Sequence, residues 1–482
     1  MLVSKEKTKR HYIHSFLILA IMIGVGLIPA VEPVTQFGMQ VLGVFLGCIY
    51  GWTIGQTIWP SVVALVILGC SGELTVDGVL ASAYGNSTLL LVVWSVVFCF
   101  VIERCGLLDL IARFILSRKL ATRGPWILCA MFYAASAILG ALCCNALPPS
   151  LILWNIFYSL TEKLGIEKKS PYCAVVIIGV YVMADVGMVI MPYNLFSVGG
   201  FGMMNAIDPD LTINYAGYMM LMIILNVVII PAIVLTLKYI VRVPIKFKEV
   251  DNLLEAKDLS LNLRQKIVLI SLVFLFIGML LPNVVSADLF IINLLARIGT
   301  NGWFILLSAM LMIIVIGGES IQDIGEAMVK AMPWGVYFLV ATALYLSSLV
   351  VSESTGLSIV LQNVLAPVLS GKGTFALMAL MLLFGMVLTN IINNFVCLSL
   401  FVPLGMTFVM ANGGNPVPLV VLFCGILCLG TVMPAGSVGA AIMHGDKVWL
   451  TPSLIYKYAT IIIVVVLVSY IIVGIPVANL LL

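Results

Sequence analysis

The segment GYMMLMIILNVVIIPAIVLTLKY, residues 217–239, carries no charged side chain before Lys238. Uncharged apolar runs of this kind recur from one end of the chain to the other, and they limit the possible folds more than any motif does. A run of about twenty such residues is the length that crosses the hydrocarbon core of a bilayer as a helix. Hydrophobic residues make up 62% of the 482 and charged ones 9%, against roughly 25% charged in soluble proteins. Such a chain has too little polar surface to face water. Because the runs are unbroken rather than alternating, the expected class is an all-α polytopic membrane protein and not a barrel. The eleven cysteines are scattered through apolar segments. They read as small packing residues, not as a disulfide framework or a metal site.

The positions of lysine and arginine set a topology. The N-terminus places basic residues before an apolar run from Tyr12. A cleaved signal peptide competes with that reading, but no clear small-x-small site follows, so a retained first helix is expected. Further spans begin near Phe37, Thr57 and Ser87, followed by a basic amphipathic stretch, Arg104 to Arg123. Pro125–Cys143 and Leu151–Leu160 then flank the interruption CCNALPPS, and a second basic patch, Lys163, Lys168 and Lys169, comes directly after. Cytoplasmic loops collect Lys and Arg, so both patches belong on one side and the segment between them is a re-entrant hairpin. Pro171–Pro192 enters again and breaks at MPYNLFSVGGFG, and Gly217–Tyr239 returns to the cytoplasm. Later spans start near Ile267, Trp303 and Pro333. A stretch outside the cell, Ser352–Gly373, leads to a second hairpin, Thr374–Met410, then to Pro418–Pro434 and its break, and to a last span Ser453–Val477. This path puts 22 of the 24 Lys and Arg on the cytoplasmic side, all but Arg297 and Lys372. The domain layout expected is an extra N-terminal helix (1–36), a first repeat (37–240), a cytoplasmic linker (241–266) and a second repeat (267–482). The N-terminus is expected in the cytoplasm and the protein in the cell (inner) membrane.

The halves echo one another in order. FVIERCGLLDLIARFIL from Phe100 lines up with LVVSESTGLSIVLQNVL from Leu349, sharing Glu103/Glu353 and a Gly-Leu pair. Asn145 follows Glu103 by 42 residues and Asn394 follows Glu353 by 41. VIMPYNLFSVGG from Val189 echoes TVMPAGSVGAA from Thr431 through a shared Met-Pro. The charge-derived path makes the two units enter from opposite faces. Inverted repeats with interrupted spans at matching places are the mark of secondary transporters with a midplane site. A helix broken in lipid leaves N–H and C=O groups without partners. An anion suits the N–H ends and a cation the carbonyl ends.

On these residues, with TNIINNFVCLSLFVPLG of the second hairpin, IMPYN and MPAGSVGAA, the chain from about Phe37 onward resembles the divalent anion/sodium symporter family of the ion-transporter superfamily. Pro403, nine residues after Asn394, sits where that family has a proline. The resemblance implies a homodimer whose transport domains move as elevators and carry di- or tricarboxylates or sulfate with sodium. It places substrate at the tips Cys144-Asn145-Ala146 and Asn393-Asn394-Phe395, with Asn194 and Ser437 of the broken helices. It places cations near Asn145, Asn394, Thr389, Pro192 and Pro434. The family's tips read Ser-Asn-Thr; here both central asparagines match and both flanking hydroxyl pairs are gone. The second broken helix also lacks the family's Pro-Pro-Asn. Phe395 is expected to fill space or stack.

Asp185 is the one acid deep within an apolar span, seven residues before Pro192. An intramembrane carboxylate is costly and by default functional, so Asp185 is expected to hold the coupling cation or proton; the alternative is a hydrogen-bonded structural acid. Asn145 and Asn394 can each donate to substrate and accept from a cation, or simply cap a helix. Glu103 and Glu353 read as interfacial or capping groups, His444 as a surface residue, Cys143 and Cys144 as packing, and Pro148 and Pro149 as the turn and start of a returning helix. The expected function is a secondary active transporter of a small organic anion, with sodium or a proton as coupling ion, no other cofactor and no nucleic-acid partner. An anion exchanger or a cation/proton antiporter of the same superfamily is the alternative. An enzyme is disfavoured because none of the three histidines pairs with an intramembrane acid or nucleophile. A channel remains a third reading.

Overall fold

The computed structural model describes residues 2–117, 123–248, 260–284, 290–357, 359–360, 373–392, 394–434 and 436–482. Arg118, Lys119, much of the linker, Lys372 and Asn393 therefore lie outside the described residues. The chain is almost wholly helical. The first half comprises α1 (Leu2–Gly24), α2 (Gln36–Thr53), α3 (Ile58–Gly69), α4 (Val76–Tyr84), α5 (Ser87–Arg104), α6 (Leu107–Leu116), α7 (Pro125–Cys143), α8 (Leu147–Thr161), α9 (Pro171–Met188), α10 (Leu195–Ile207) and α11 (Tyr215–Leu235). The second half comprises α12 (Leu263–Val284), α13 (Phe290–Ile313), a two-stranded turn of β1 (Val315–Ile316) and β2 (Glu319–Ser320), α14 (Ile324–Lys330), α15 (Trp334–Val351), α16 (Thr374–Thr389), α17 (Asn394–Ala411), α18 (Val417–Ile426), α19 (Val438–Gly445), α20 (Pro452–Ser469) and α21 (Ile475–Leu481). Among the described residues six helices are long and apolar enough to cross a membrane, and a seventh crossing is made by α14 and α15 if that pair, bent by 83°, is one span.

The repeat is visible in local geometry. After α5 and after α15 the chain turns through a left-handed glycine, Gly106 at φ 70° and Gly356 at φ 66°, a conformation glycine adopts without steric cost. Each half then forms a helical hairpin, α7–α8 and α16–α17, and a span broken after Met188 or Ile426. Each ends on a long span closed by a π-helical turn, Thr236–Ile240 or Tyr470–Gly474. The two interruptions of the apolar pattern are thus tips and breaks of an inverted-repeat membrane fold. Pro148 and Pro149 stand in the first turn of α8, where their missing N–H groups cost nothing.

Loop contacts sort the helix ends into two groups. At one end, Arg104 pairs with Glu326 at 3.0 Å and Arg264 with Glu319 at 3.6 Å. Around the hairpin mouth the Tyr172 hydroxyl donates to the Pro125 carbonyl, Lys248 N–H to the Leu164 carbonyl, and Lys169 N–H to the Trp449 carbonyl. The exposed Lys246 ammonium donates to Glu167 at 2.7 Å, which raises its pKa. At the other end, Thr35 bonds to the carbonyls of Ser354 and Thr355, and Asn301 bonds to that of Ser87. The entry and exit of the first hairpin therefore share one end.

Three details differ from the sequence reading. The span expected near Trp303 follows a break at Gly299, at φ 65° and ψ 172°, and a separate helical stretch from Phe290 that the sequence reading did not resolve precedes it. The strands β1 and β2 and the short helices α4 and α14 were hidden by their length.

At the centre lies α9, whose residues Tyr172–Met188 are all buried. It packs against α7 at backbone distance: a Cβ on Gly140 would lie 2.4 Å from the Ala184 carbonyl oxygen, and one on Gly187 would lie 2.2 Å from that of Ala137. Small residues that let helices close in this way replace the hydrophobic driving force missing in lipid. Asp185 is therefore enclosed by protein.

Candidate functional site

The first break, Val189 to Asn194, is capped from within. Asn194 is 1% exposed and its amide is fully used. Its Nδ2 donates to the Met191 carbonyl and to Ser197 Oγ, both at 2.6 Å, and its Oδ1 accepts from the N–H groups of Phe196 and Ser197. Ser197 Oγ lies 2.7 Å from the Tyr218 hydroxyl, which also bonds to the Val189 carbonyl. A carbonyl only accepts, so Tyr218 donates to Val189 and receives the Ser197 proton. Every group in this chain is satisfied. Asn194, expected at the substrate, is thereby placed as the N-cap of α10, with Pro192 buried beside it.

The second break, Leu427 to Ser437, is held from outside. Asn390, 6% exposed, accepts at Oδ1 from the N–H groups of Thr431 (3.0 Å) and Val432 (2.9 Å). Asn394, 6% exposed, donates from Nδ2 to the Cys428 carbonyl at 2.7 Å. Thr389 Oγ1 lies 2.9 Å from Asn394 Oδ1 and 2.6 Å from the Leu427 carbonyl oxygen. A hydroxyl has one proton, so it serves one of these acceptors at a time and leaves the other's lone pairs uncompensated. The Thr431 hydroxyl beside them is fully buried and has no partner among the described residues. Gly430 allows the approach, since a Cβ there would stand 2.2 Å from Asn394 Oδ1. His444, expected at the surface, is half-buried and its Nε2 lies 2.9 Å from the Val432 carbonyl, which fixes a proton on that nitrogen. Pro434 is exposed.

The remaining sequence-predicted residues fall into place around these breaks. The Cys144 thiol donates to the Ala141 carbonyl at 3.4 Å, and the buried Tyr193 hydroxyl of the first break has no hydrogen-bond partner among the described residues. Cys144 itself is the left-handed residue that ends α7, at φ 53°, and Ala146 is buried behind it. Asn145 is exposed, with its Oδ1 accepting from Leu147 N–H at 3.1 Å. Phe395 stacks on Phe196, with centroids 4.2 Å apart and planes within 14°, joining the first turns of α17 and α10. Ser437 caps α19 by accepting from Ala440 N–H and also accepts from the Tyr181 hydroxyl at 3.1 Å. Tyr181 lies one turn before Asp185. Asp185 is 3% exposed, and its Oδ2 has no hydrogen-bond partner among the described residues. The Cys428 thiol, on the second break, lies 3.8 Å from the Asp185 backbone carbonyl.

The second hairpin, both breaks and the helix that carries Asp185 are thus in contact. Sequence reasoning missed Asn390 and Tyr181. Asn390 stood in view inside TNIINNF, one residue after Thr389, but was given no role.

No family model matches the chain, and no curated protein sequence does. The fold matches the crystal structure of the YdaH transporter of Alcanivorax borkumensis, whose topology is described as unusual. The match covers 83% of this chain and 86% of that one, with a TM-score of 0.54 and 13% sequence identity. At that identity the likeness is one of fold.

Proposed function

We propose that this protein is a secondary active transporter that moves a small organic anion, with di- or tricarboxylates first, across the cell membrane. Sodium or a proton drives it. On this reading residues 37–240 and 267–482 are its two inverted repeats, its N-terminus is cytoplasmic, and it works as a homodimer by elevator motion. The observation that carries the proposal is the second break. There Asn394, Thr389 and the Leu427 carbonyl turn more acceptors than donors toward one point. An excess of buried acceptors calls for a cation. Helix starts at Leu147 and Asn394, at the two hairpin tips, supply N–H ends that favour an anion nearby. The YdaH match supports transport as the kind of activity.

The buried carboxylate of Asp185 repels an anion unless it is neutralised, so its role here is coupling and not substrate contact. A cation/proton antiporter makes the same use of it and is the second reading. Uptake of labelled succinate and citrate into proteoliposomes, with sodium and pH gradients imposed separately, decides between them. Asn394→Ala is expected to lower anion uptake at least about tenfold with the protein still folded, and Asn145→Ala to impair it. Unimpaired uptake by both variants removes the site assignment. Sodium-driven proton flux without anion uptake selects the antiporter.

A further inference from the structure

A separate cavity of about 300 Å³ opens at the end of the molecule that carries the basic loops, in the seam between α8, α9 and the segment following α19. That volume is at the small end of the range for ligand pockets, about 300–1,000 Å³, and suits one ring with a short side chain. Its walls are apolar, with Leu151, Trp154, Ile177 and Met443 among them. The Trp154 indole N–H is already spent on the Ile177 carbonyl, 2.9 Å away. Two polar groups at the mouth remain uncommitted. The Asn155 amide has no hydrogen-bond partner among the described residues. Asp446 uses Oδ1 to cap the N–H groups of Val448 (2.8 Å) and Trp449 (3.0 Å), while Oδ2 receives only a long contact from the Tyr158 hydroxyl at 3.4 Å.

No cation answers this carboxylate among the described residues. The nearby Lys168 is engaged elsewhere: its ammonium sits 4.8 Å over Trp449, whose other partner is Tyr158, stacked at 4.3 Å and 4°. That three-layer stack holds Tyr158 and the Asp446 loop in place, so the mouth is a formed feature of the seam. Among its lining residues the only formal charge is negative, the walls are apolar and partly aromatic, and the Asn155 amide shares the lining with the carboxylate. An ammonium group on a small apolar body satisfies all of these at once, through a charge-assisted hydrogen bond and a cation–π contact.

We propose that this cavity is a binding site for small organic amines in their ammonium form, distinct from the break-centred site and independent of the transport reading. The test uses the full chain in detergent, read by thermal unfolding and tryptophan emission, with 2-phenylethylamine as probe. The neutral 2-phenylethanol and the anionic phenylacetate are the controls. The amine is expected to stabilise the protein and shift its emission. The alcohol is expected to bind at least about tenfold more weakly, and the acid not at all. Asp446→Asn keeps an oxygen to cap Val448 and Trp449 and is expected to weaken the amine at least about tenfold. The site is refuted if the alcohol matches the amine on the wild-type chain, if Asp446→Asn binds the amine unchanged, or if millimolar amine has no effect. The wild-type comparison decides the matter even where the variant fails to fold.

Discussion

Asn390 offers the sharpest test of how the second break is held, because no charge or substrate is involved. Its Oδ1 alone satisfies the N–H groups of Thr431 and Val432, at 3.0 and 2.9 Å. Asn390→Ala leaves both without a partner. A buried donor stranded in this way costs about 1–3 kcal/mol. Thr431 is fully buried and takes the whole penalty; Val432 is only half-buried, so water recovers part of it. The Asn390 donor to the Met386 carbonyl, at 2.8 Å, vanishes together with its side chain and strands nothing essential. The expected loss is therefore about 2–4 kcal/mol.

Asn145→Ala is the matched control. That asparagine is exposed and its Oδ1 receives one backbone N–H, at 3.1 Å, so water substitutes and the loss stays near or below about 1 kcal/mol. Thermal unfolding of the two variants in one detergent should separate them clearly. Amide exchange should accelerate at residues 431 and 432 in Asn390→Ala alone. Asn390→Asp keeps the accepting oxygen and should restore part of the protection. If Asn390→Ala melts with the wild type and both amides stay protected, the break is held by something other than this side chain.

Three further substitutions probe the same region. Gly430→Ala places a Cβ 2.2 Å from Asn394 Oδ1. It is expected to displace the tip and abolish transport in the uptake assay, and normal transport would mean the tip and break do not approach this closely. Thr389→Val removes the shared hydroxyl while keeping the shape of the side chain, and should erase sodium's effect on the melting temperature, whereas Thr389→Ser should retain it; a sodium response in the valine variant excludes Thr389 from the cation site. Asp185→Asn relieves an unpaired buried carboxylate, which is costly to bury. It should leave stability unchanged or raised while altering the sodium or pH dependence of transport. An unaltered dependence makes Asp185 structural.

The fold was legible wherever a residue type violates the rules of lipid. Proline, asparagine and glycine inside an apolar run have a high cost unless the backbone is broken there, so CCNALPPS and the two Met-Pro breaks announced themselves. The left-handed glycines at 106 and 356 were legible as a repeated Gly-Leu pair. The contacts between breaks were not legible, because they depend on packing across long separations. Tyr181 meets Ser437 across 256 residues and Asn390 meets Thr431 across 41. No local pattern distinguishes such an asparagine from a loop residue. Phe395 was expected to fill space or stack, and its partner Phe196 could be named only once α10 and α17 were seen side by side. Asn194 shows the converse limit. A conspicuous asparagine after a break reads equally well as a ligand or as a cap, and here its four hydrogen-bonding positions are all taken by the backbone and Ser197.

The two breaks share a Met-Pro signature but differ in how their polar ends are satisfied. The first closes on itself through Asn194, Ser197 and Tyr218, and its chain of donors ends at the Val189 carbonyl with nothing left over. The second has no asparagine of its own. It relies on Asn390 and Asn394 from the neighbouring hairpin, and it leaves the Thr431 hydroxyl and one of two carbonyl-type acceptors at Thr389 uncompensated. A self-sufficient break has no electrostatic reason to respond to a passing ion. A break held by a hairpin tip does, since any cation bound among Thr389, Asn394 and Leu427 bears on hairpin and break together. On the proposed transport reading, the second repeat is therefore where ion binding would be converted into movement of a hairpin. The first repeat contributes a rigid cap and one buried acid, Asp185, whose backbone carbonyl lies 3.8 Å from the Cys428 thiol of the same segment.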